Sequence, residues 1–260
     1  MDDITGRVKV ALSEADIVAC EDTRRTGLLF ERLGLVRPRL VSNHEGNESE
    51  RARQLVGAIE RGAKVALISD SGTPAVSDPG YRLINACIER SIDIEVLPGP
   101  SAVITALVVS GLPTDRWRFE GFLPRRAGAL ESVLGGGQTV VAFESPRRLP
   151  ESLAALAALA PDRPAAVCRE LTKMHEEVVR GTLVELARRF REDVKGEIVV
   201  VIGPAAASSS SPDIAFAVDA LRRLVQSGAR PRAAAGVVAA LTGTRANELY
   251  TALTGREPRE

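Results

Sequence analysis

Four stretches of this chain concentrate side chains that carry charge, donate hydrogen bonds or move protons. The first is Cys20-Glu21-Asp22-Thr23-Arg24-Arg25-Thr26. The second runs from Ser69 to Gly80 and holds Ser69, Asp70, Gly72, Thr73 and Pro74. The third is Pro98-Gly99-Pro100-Ser101-Ala102. The fourth is split between Phe143-Glu144-Ser145-Pro146-Arg147-Arg148 and the segment Arg169 to Glu177, with Arg125 and Arg126 beside them. Carboxylates, Lys173 and His175 are groups that can take a proton from a weak nucleophile. Arginines grip phosphate with a planar, bidentate fork. Gly99 lets a backbone approach a ligand closely, and Ser101 opens a helix whose free amides attract an anion. Bases mixed with acids suit a pocket that both grips phosphate and moves a proton, rather than a plain electrostatic stripe. The competing structural reading is that Asp22 or Thr23 only caps a helix.

Each cluster follows an apolar run. Asp16–Cys20, Arg39–Ser42, Lys64–Ser69 and Ile92–Leu97 read as strands, with helical patterns between them such as 47–61 and 101–110. Asn47 followed by Glu50 resembles a capping box. This alternation predicts βαβ units and a parallel core. Ligands bind at the carboxyl ends of such strands, where the clusters lie. After Gly111-Leu112-Pro113-Thr114 the texture changes: Trp117–Leu123, Thr139–Phe143, Ala165–Arg169 and Glu197–Ile202 read as strands, with fewer helices between them. The expected division is an α/β domain over 1–114, a second over 115–203, a flexible Ala/Ser linker over 204–213, and a helical extension over 214–260. Two helices at 232–241 and 245–253 have the size of a helix-turn-helix unit.

Composition narrows the class. The 260 residues balance 34 basic against 34 acidic side chains, so there is no global pull toward nucleic acid. Only Lys9, Lys64, Lys173 and Lys195 are lysines, which makes the position of arginine pairs the informative feature. No run reaches the about 18 apolar residues of a membrane span, and the N-terminus does not read as a signal peptide. Three scattered cysteines, Cys20, Cys87 and Cys168, point to buried thiols in a reducing cytoplasm, with no zinc-type spacing.

In order, the strings EDTRRT (21–26), NHEGNE (43–48), ALISDSGTPAVSDPGYRLI (66–84), LPGPSAVITAL (97–107), SGLPTDRWRFEGFLPRR (110–126), FESPRRL (143–149), RELTKMHEEVVRGTL (169–183) and KGEIVVVIG (195–203) resemble the ribosomal RNA small subunit methyltransferase I family of the tetrapyrrole-methylase-like superfamily. The resemblance implies two α/β domains with S-adenosyl-L-methionine in the cleft between them, plus a small helical extension. It also implies a cytoplasmic homodimer, without metal or membrane, that 2'-O-methylates a cytidine ribose of 16S rRNA in the 30S subunit. It places Ser69, Asp70, Gly72, Thr73, Pro74, Gly99, Pro100, Ser101 and Ala102 at the methionine part of the cofactor, and Phe143 at its adenosine. Family members carry a first strand and Gly-rich turn, of which Met1-Asp2-Asp3-Ile4 matches only the tail.

A ribose hydroxyl needs alignment and a base. The candidates are Lys173, Glu170, Glu144 and Glu21, with Asp22 and His175 behind them. Lys173 could instead contact phosphate or pair with Glu170. Arg24, Arg25, Arg125, Arg147, Arg148 and Arg169 are the candidate RNA contacts. Two other readings fit the same residues: a small-molecule methyltransferase of the same superfamily, and a non-catalytic ribosome-binding homologue.

Overall fold

A computed structural model of the chain describes residues 3–70, 72–205 and 214–254. It divides into two compact units, Met1–Pro204 and Ala205–Glu260. The expected linker over 204–213 lies, from residue 206 on, outside the described residues.

Unit 1 starts with helix α1 (Gly6–Glu14), followed by β1 (Ile17–Cys20), α2 (Thr23–Leu33), β2 (Arg39–Ser42), α3 (Glu48–Glu60), β3 (Val65–Leu67) and α4 (Tyr81–Ile88). The three strands form a parallel sheet in the order β2-β1-β3. β1 is central and buried at all four positions, as a strand covered on both faces must be. Ile17 and Ala19 face α3 and α4, while Val18 faces Leu12 and Phe30.

The chain then reaches α5 (Ala102–Ser110) and a second sheet. Its elements are β4 (Trp117–Phe122), α6 (Ala127–Leu134), β5 (Thr139–Glu144), α7 (Leu149–Leu159), β6 (Pro164–Arg169), β7 (Glu177–Thr182), α8 (Leu183–Arg189) and β8 (Ile198–Ile202). The order is β4-β5-β8-β6-β7. Only β4 and β5 run parallel; the other pairings are antiparallel, so this sheet is mixed. One face buries Leu149, Leu153, Leu156, Leu183 and Leu186 against it. The other face takes Val103, Ala106 and Leu107 of α5. The chain therefore commits to the second sheet at α5, before residue 114.

Two expectations need correction. Ile92–Leu97 forms no strand and pairs with none among the described residues. Its alternating pattern supplies strand preference, but a strand also needs a neighbouring ladder, and Ile94 and Val96 stay exposed. Asn47 makes no capping box: its Oδ1 accepts the His44 N–H at 2.9 Å and its Nδ2 donates to the Ser42 carbonyl at 3.1 Å, which folds the loop before α3 instead. The second half does hold fewer helices among its strands, as expected: α6, α7 and α8 lie among β4 to β8, against α1 to α5 around β1 to β3.

Unit 2 holds α9 (Ile214–Gln226), α10 (Pro231–Thr242) and α11 (Ala246–Thr254) around a small core that includes Ala217, Leu221, Ala235, Val238 and Leu249. No helix among the described residues is long and apolar enough to cross a membrane.

Candidate active site

The carboxyl ends of β1 and β3 bring the first two clusters together. Asp22 caps α2, accepting the Arg24 N–H at 2.8 Å, and those hydrogen bonds hold its carboxyl below the usual range. Glu21 Oε1 accepts the Asp70 N–H at 3.3 Å, and Arg25 Nη1 donates to Asp70 Oδ2 at 3.2 Å. Asp70 is thus tethered from both sides by the segment that follows β1.

The loop after Asp70 is held in a costly shape. Gly72, Ala75, Ser77 and Gly80 all have positive φ, two of them without glycine's freedom. Gly80, at φ 144°, would be strained by any side chain, whose Cβ would also lie 2.7 Å from Leu67 Cδ2 and push it aside. The loop's far end is fixed by the buried Glu48, whose Oε1 accepts the N–H groups of Gly80 at 2.8 Å and Arg82 at 3.0 Å. Such local strain persists only where surroundings over-determine it, and it clusters at binding sites.

The loop carries a residue that the motif reading did not single out. Burial, then the nearby Glu21, Asp70 and Glu197 carboxylates, push Asp78 up to about 6; a contact with Ser69, looser than a regular hydrogen bond, pulls the other way. Ser69 Oγ is itself buried without a hydrogen-bond partner. Burial and mutual repulsion among acids are invisible in a linear string. The one available signal was the count of acids within Glu21–Asp22 and Asp70–Asp78.

Glu197 immediately precedes β8, an inner strand of the second sheet, and its charge acts on Asp78, so the acid loop and the Lys173 segment converge. Lys173 Nζ donates to Glu170 Oε1 at 2.9 Å and pairs with Glu197 Oε2 at 3.1 Å. Burial opposes its charge, but these two hydrogen bonds outweigh that and hold its pKa above the ordinary lysine value. Glu170 is lowered, first by Lys173 and then by the Glu197 N–H. Neither residue is poised to accept a proton near neutral pH. Glu144 is fully enclosed, accepting from Ser145 N at 2.7 Å and Ser152 Oγ at 2.5 Å and pairing with Arg148 at 3.2 Å, so it braces the start of α7. Of the four candidate bases, Glu21 shares the acid loop and uses one oxygen on a single backbone amide.

Phe143 contacts Phe119 and Phe122 edge-on at 5.0 and 5.6 Å, leaving Phe122 exposed as an apolar wall. Gly121, next to Phe122, lies within reach of the acid loop: a Cβ there would be 3.7 Å from Ser77 Oγ. Gly99 and Pro100 form an exposed turn before α5, and Ser101 caps that helix by accepting from Ile104 N, with Ala102 its first residue.

The arginines divide in two. Arg148 donates to the Leu123 and Pro124 carbonyls, and Arg169 grips Glu177 with two nitrogens and the Lys195 carbonyl with a third. Those forks are already in use. Arg24, Arg125 and Arg147 point to solvent, and Arg25 is exposed apart from its tie to Asp70. Among the described residues no cluster of His, Cys, Asp and Glu is arranged to hold a metal ion.

The comparisons agree with this geometry. The tetrapyrrole (corrin/porphyrin) methylase family matches residues 1–187. A protein of Mycobacterium tuberculosis named ribosomal RNA small subunit methyltransferase I is 45% identical over 258 residues, covering 96% of this chain and 90% of its own. A protein of the same name from Thermotoga maritima is 39% identical over 206 residues, covering 78% of this chain and 92% of its own. The crystal structure of a diphthine synthase superposes with a TM-score of 0.61 at 18% identity, over 78% of this chain and 85% of that one, which speaks to the fold alone. The strained acid loop, the mixed second sheet and these relatives together establish that the chain belongs to the ribosomal RNA small subunit methyltransferase I family of the tetrapyrrole methylases.

Proposed function

We propose that this protein transfers a methyl group from S-adenosyl-L-methionine to the 2'-hydroxyl of a cytidine ribose in 16S rRNA of the small ribosomal subunit, as a cytoplasmic homodimer. The observation that carries the cofactor assignment is the half-buried Asp78, which burial first, and then the neighbouring Glu21, Asp70 and Glu197 carboxylates, push up to about 6. A cluster of acids that repel one another is a site for a cation. S-adenosyl-L-methionine carries an ammonium and a sulfonium, and the sulfonium supplies an electrophilic methyl group. The orphaned Ser69 hydroxyl and the strained backbone of residues 72–80 fit a polar ligand lying across the loop.

On this reading Asp70, Asp78 and Ser69, with Gly72, Thr73 and Pro74, hold the methionine end. The amino end of α5 at Ser101 and Ala102 favours a carboxylate, and Gly99 and Pro100 let the backbone come close. Phe143 and its neighbours give an apolar surface for the adenine. Glu21 takes the proton of the ribose hydroxyl. Lys173 remains charged and, with Glu170, fixes Glu197 against the loop. Arg24, Arg125 and Arg147 hold RNA phosphates. The exposed Ile104 and Val108 of α5, with Ile94 and Val96 just before it, support the homodimer.

The test is calorimetric binding of S-adenosyl-L-methionine followed by methyl transfer to unmodified 30S particles, with the product mapped by nuclease resistance at the ribose. Binding without transfer to 30S would point to a small-molecule acceptor. No binding at all would leave a non-catalytic ribosome-binding protein.

A further inference from the structure

Unit 2 carries charge that the methyl-transfer site does not explain. The whole chain is neutral, yet between residues 214 and 254 there are five arginines and two acids. All five arginines are exposed. Arg222 and Arg223 lie in the last turns of α9, Arg230 caps α10, and Arg232 lies in the first turn of α10. The tight turn at 227–229, closed by the Gly228 N–H to Val225 and the Ala229 N–H to Leu224, brings these four to one corner of the bundle.

Their placement is unfavourable for the isolated protein. A cation at a helix amino end opposes the helix dipole, and Arg230 and Arg232 sit at that end of α10. The Arg230 side chain makes no capping bond, and Arg222, Arg230 and Arg232 pair with no carboxylate among the described residues. Arg223 alone is paired, with Asp219 at 2.9 Å. The Arg232 guanidinium lies 5.5 Å from the centre of the Tyr250 ring, which holds its fork in place. The opposite end of α10, at the α10–α11 turn, has only Arg245, which pairs with Glu248 at 3.9 Å. The basic end is therefore not the end from which a helix-turn-helix reads bases.

Unit 2 is also separable from the core of the family. The match to the Thermotoga maritima relative spans 206 residues, about the length of unit 1, and takes up 92% of that protein. Too little of that relative's chain is left for a counterpart of unit 2.

We propose that the corner formed by Arg222, Arg223, Arg230 and Arg232 is an accessory phosphate-binding site that grips ribosomal RNA, adding affinity for the 30S particle without entering the chemistry. This rests on the rRNA-methyltransferase reading above. Phosphate contacts of this kind position a protein without reading sequence, and they make affinity depend on salt.

The experiment uses the full chain with Arg222→Gln, Arg223→Gln, Arg230→Gln and Arg232→Gln combined. The expected result is a KM for 30S raised at least tenfold, with kcat and the Kd for S-adenosyl-L-methionine unchanged. The slope of log kcat/KM against log salt becomes shallower by about 3, at about 0.7 to 0.9 per lost phosphate contact. Arg245→Gln, at the other end, stays within twofold of the parent. Should the combined variant unfold, Arg230→Glu alone must still raise KM and flatten the slope. An unchanged KM and salt slope in a folded variant overturns the proposal while leaving the enzyme reading intact. Failure of the parent chain to methylate 30S overturns the enzyme reading instead.

Discussion

Glu48 and Gly80 are joined by a 2.8 Å hydrogen bond from the Gly80 amide to the buried carboxylate, which ties the first turn of α3 to the end of the strained loop. Replacing Glu48 by Ala leaves two amides at the start of α4 without their acceptor. The expected cost is about 2 kcal/mol in urea unfolding. S-adenosyl-L-methionine affinity should fall with it, because the loop loses its far anchor; an unchanged Kd would show that the loop holds its shape without Glu48.

Asp78 predicts an unusual pH dependence. Its folded pKa is raised, from 3.8 to about 6. Below about pH 4 the group is protonated in folded and unfolded chains alike and has no effect. As pH rises through 6 the unfolded chain has already released the proton while the folded chain must ionise against its neighbours, so folding loses stability. Asp78→Asn should therefore match the parent at pH 4 and exceed it by about 1 kcal/mol at pH 8, a figure discounted for solvent screening. The same substitution should weaken cofactor binding, and parent binding at pH 6 should release protons, read as a buffer-dependent calorimetric enthalpy.

Neighbouring arginines should behave oppositely. Arg148→Ala strips the enclosed Glu144 of its cation and should cost about 3 kcal/mol of stability. Arg147→Ala touches nothing internal, so its melting temperature should hold while KM for 30S rises and the salt slope flattens. Equal effects of the two on stability would refute this division.

Gly196 is pressed against Glu170. At φ 98° an added Cβ would lie 2.4 Å from Glu170 Cγ. Gly196→Ala should destabilise by about 2 to 3 kcal/mol and detach Glu170 from Lys173. With Glu197 no longer held by the Lys173–Glu170 pair, the pH midpoint of cofactor binding should shift.

Much of this was legible in the sequence because the signals are local. Ile17–Cys20 is apolar at every position, and that is what a doubly covered central strand requires. Ser101 and Gly111 mark the two ends of α5 by their own chemistry. The site was legible as clusters, but not as roles. Nothing in the linear order shows that Lys173 falls between two carboxylates or that Arg169 turns back on Glu177, because these depend on pairings across β6, β7 and β8, nor that Glu144 is sealed by Ser152, which depends on how α7 folds back on the end of β5. Asp78 was missed because its perturbation comes from burial first, then from Glu21 on another strand end, with Asp70 and the distant Glu197 adding less. Ile92–Leu97 shows the converse, a local strand preference without a neighbour to realise it.

The position of β8 has a consequence for synthesis. Among the described residues it is the last strand to leave the ribosome, yet it lies between β5 and β6 and is buried at all five positions. Until residue 202 emerges, the nascent chain holds two half-sheets with open apolar edges and no means of joining them. Such long-range closure is slow and exposes strand edges to wrong partners. The central valines of β8 thus set the moment at which the sheet can close, and a chain cut just before them is expected to aggregate rather than fold into a smaller enzyme.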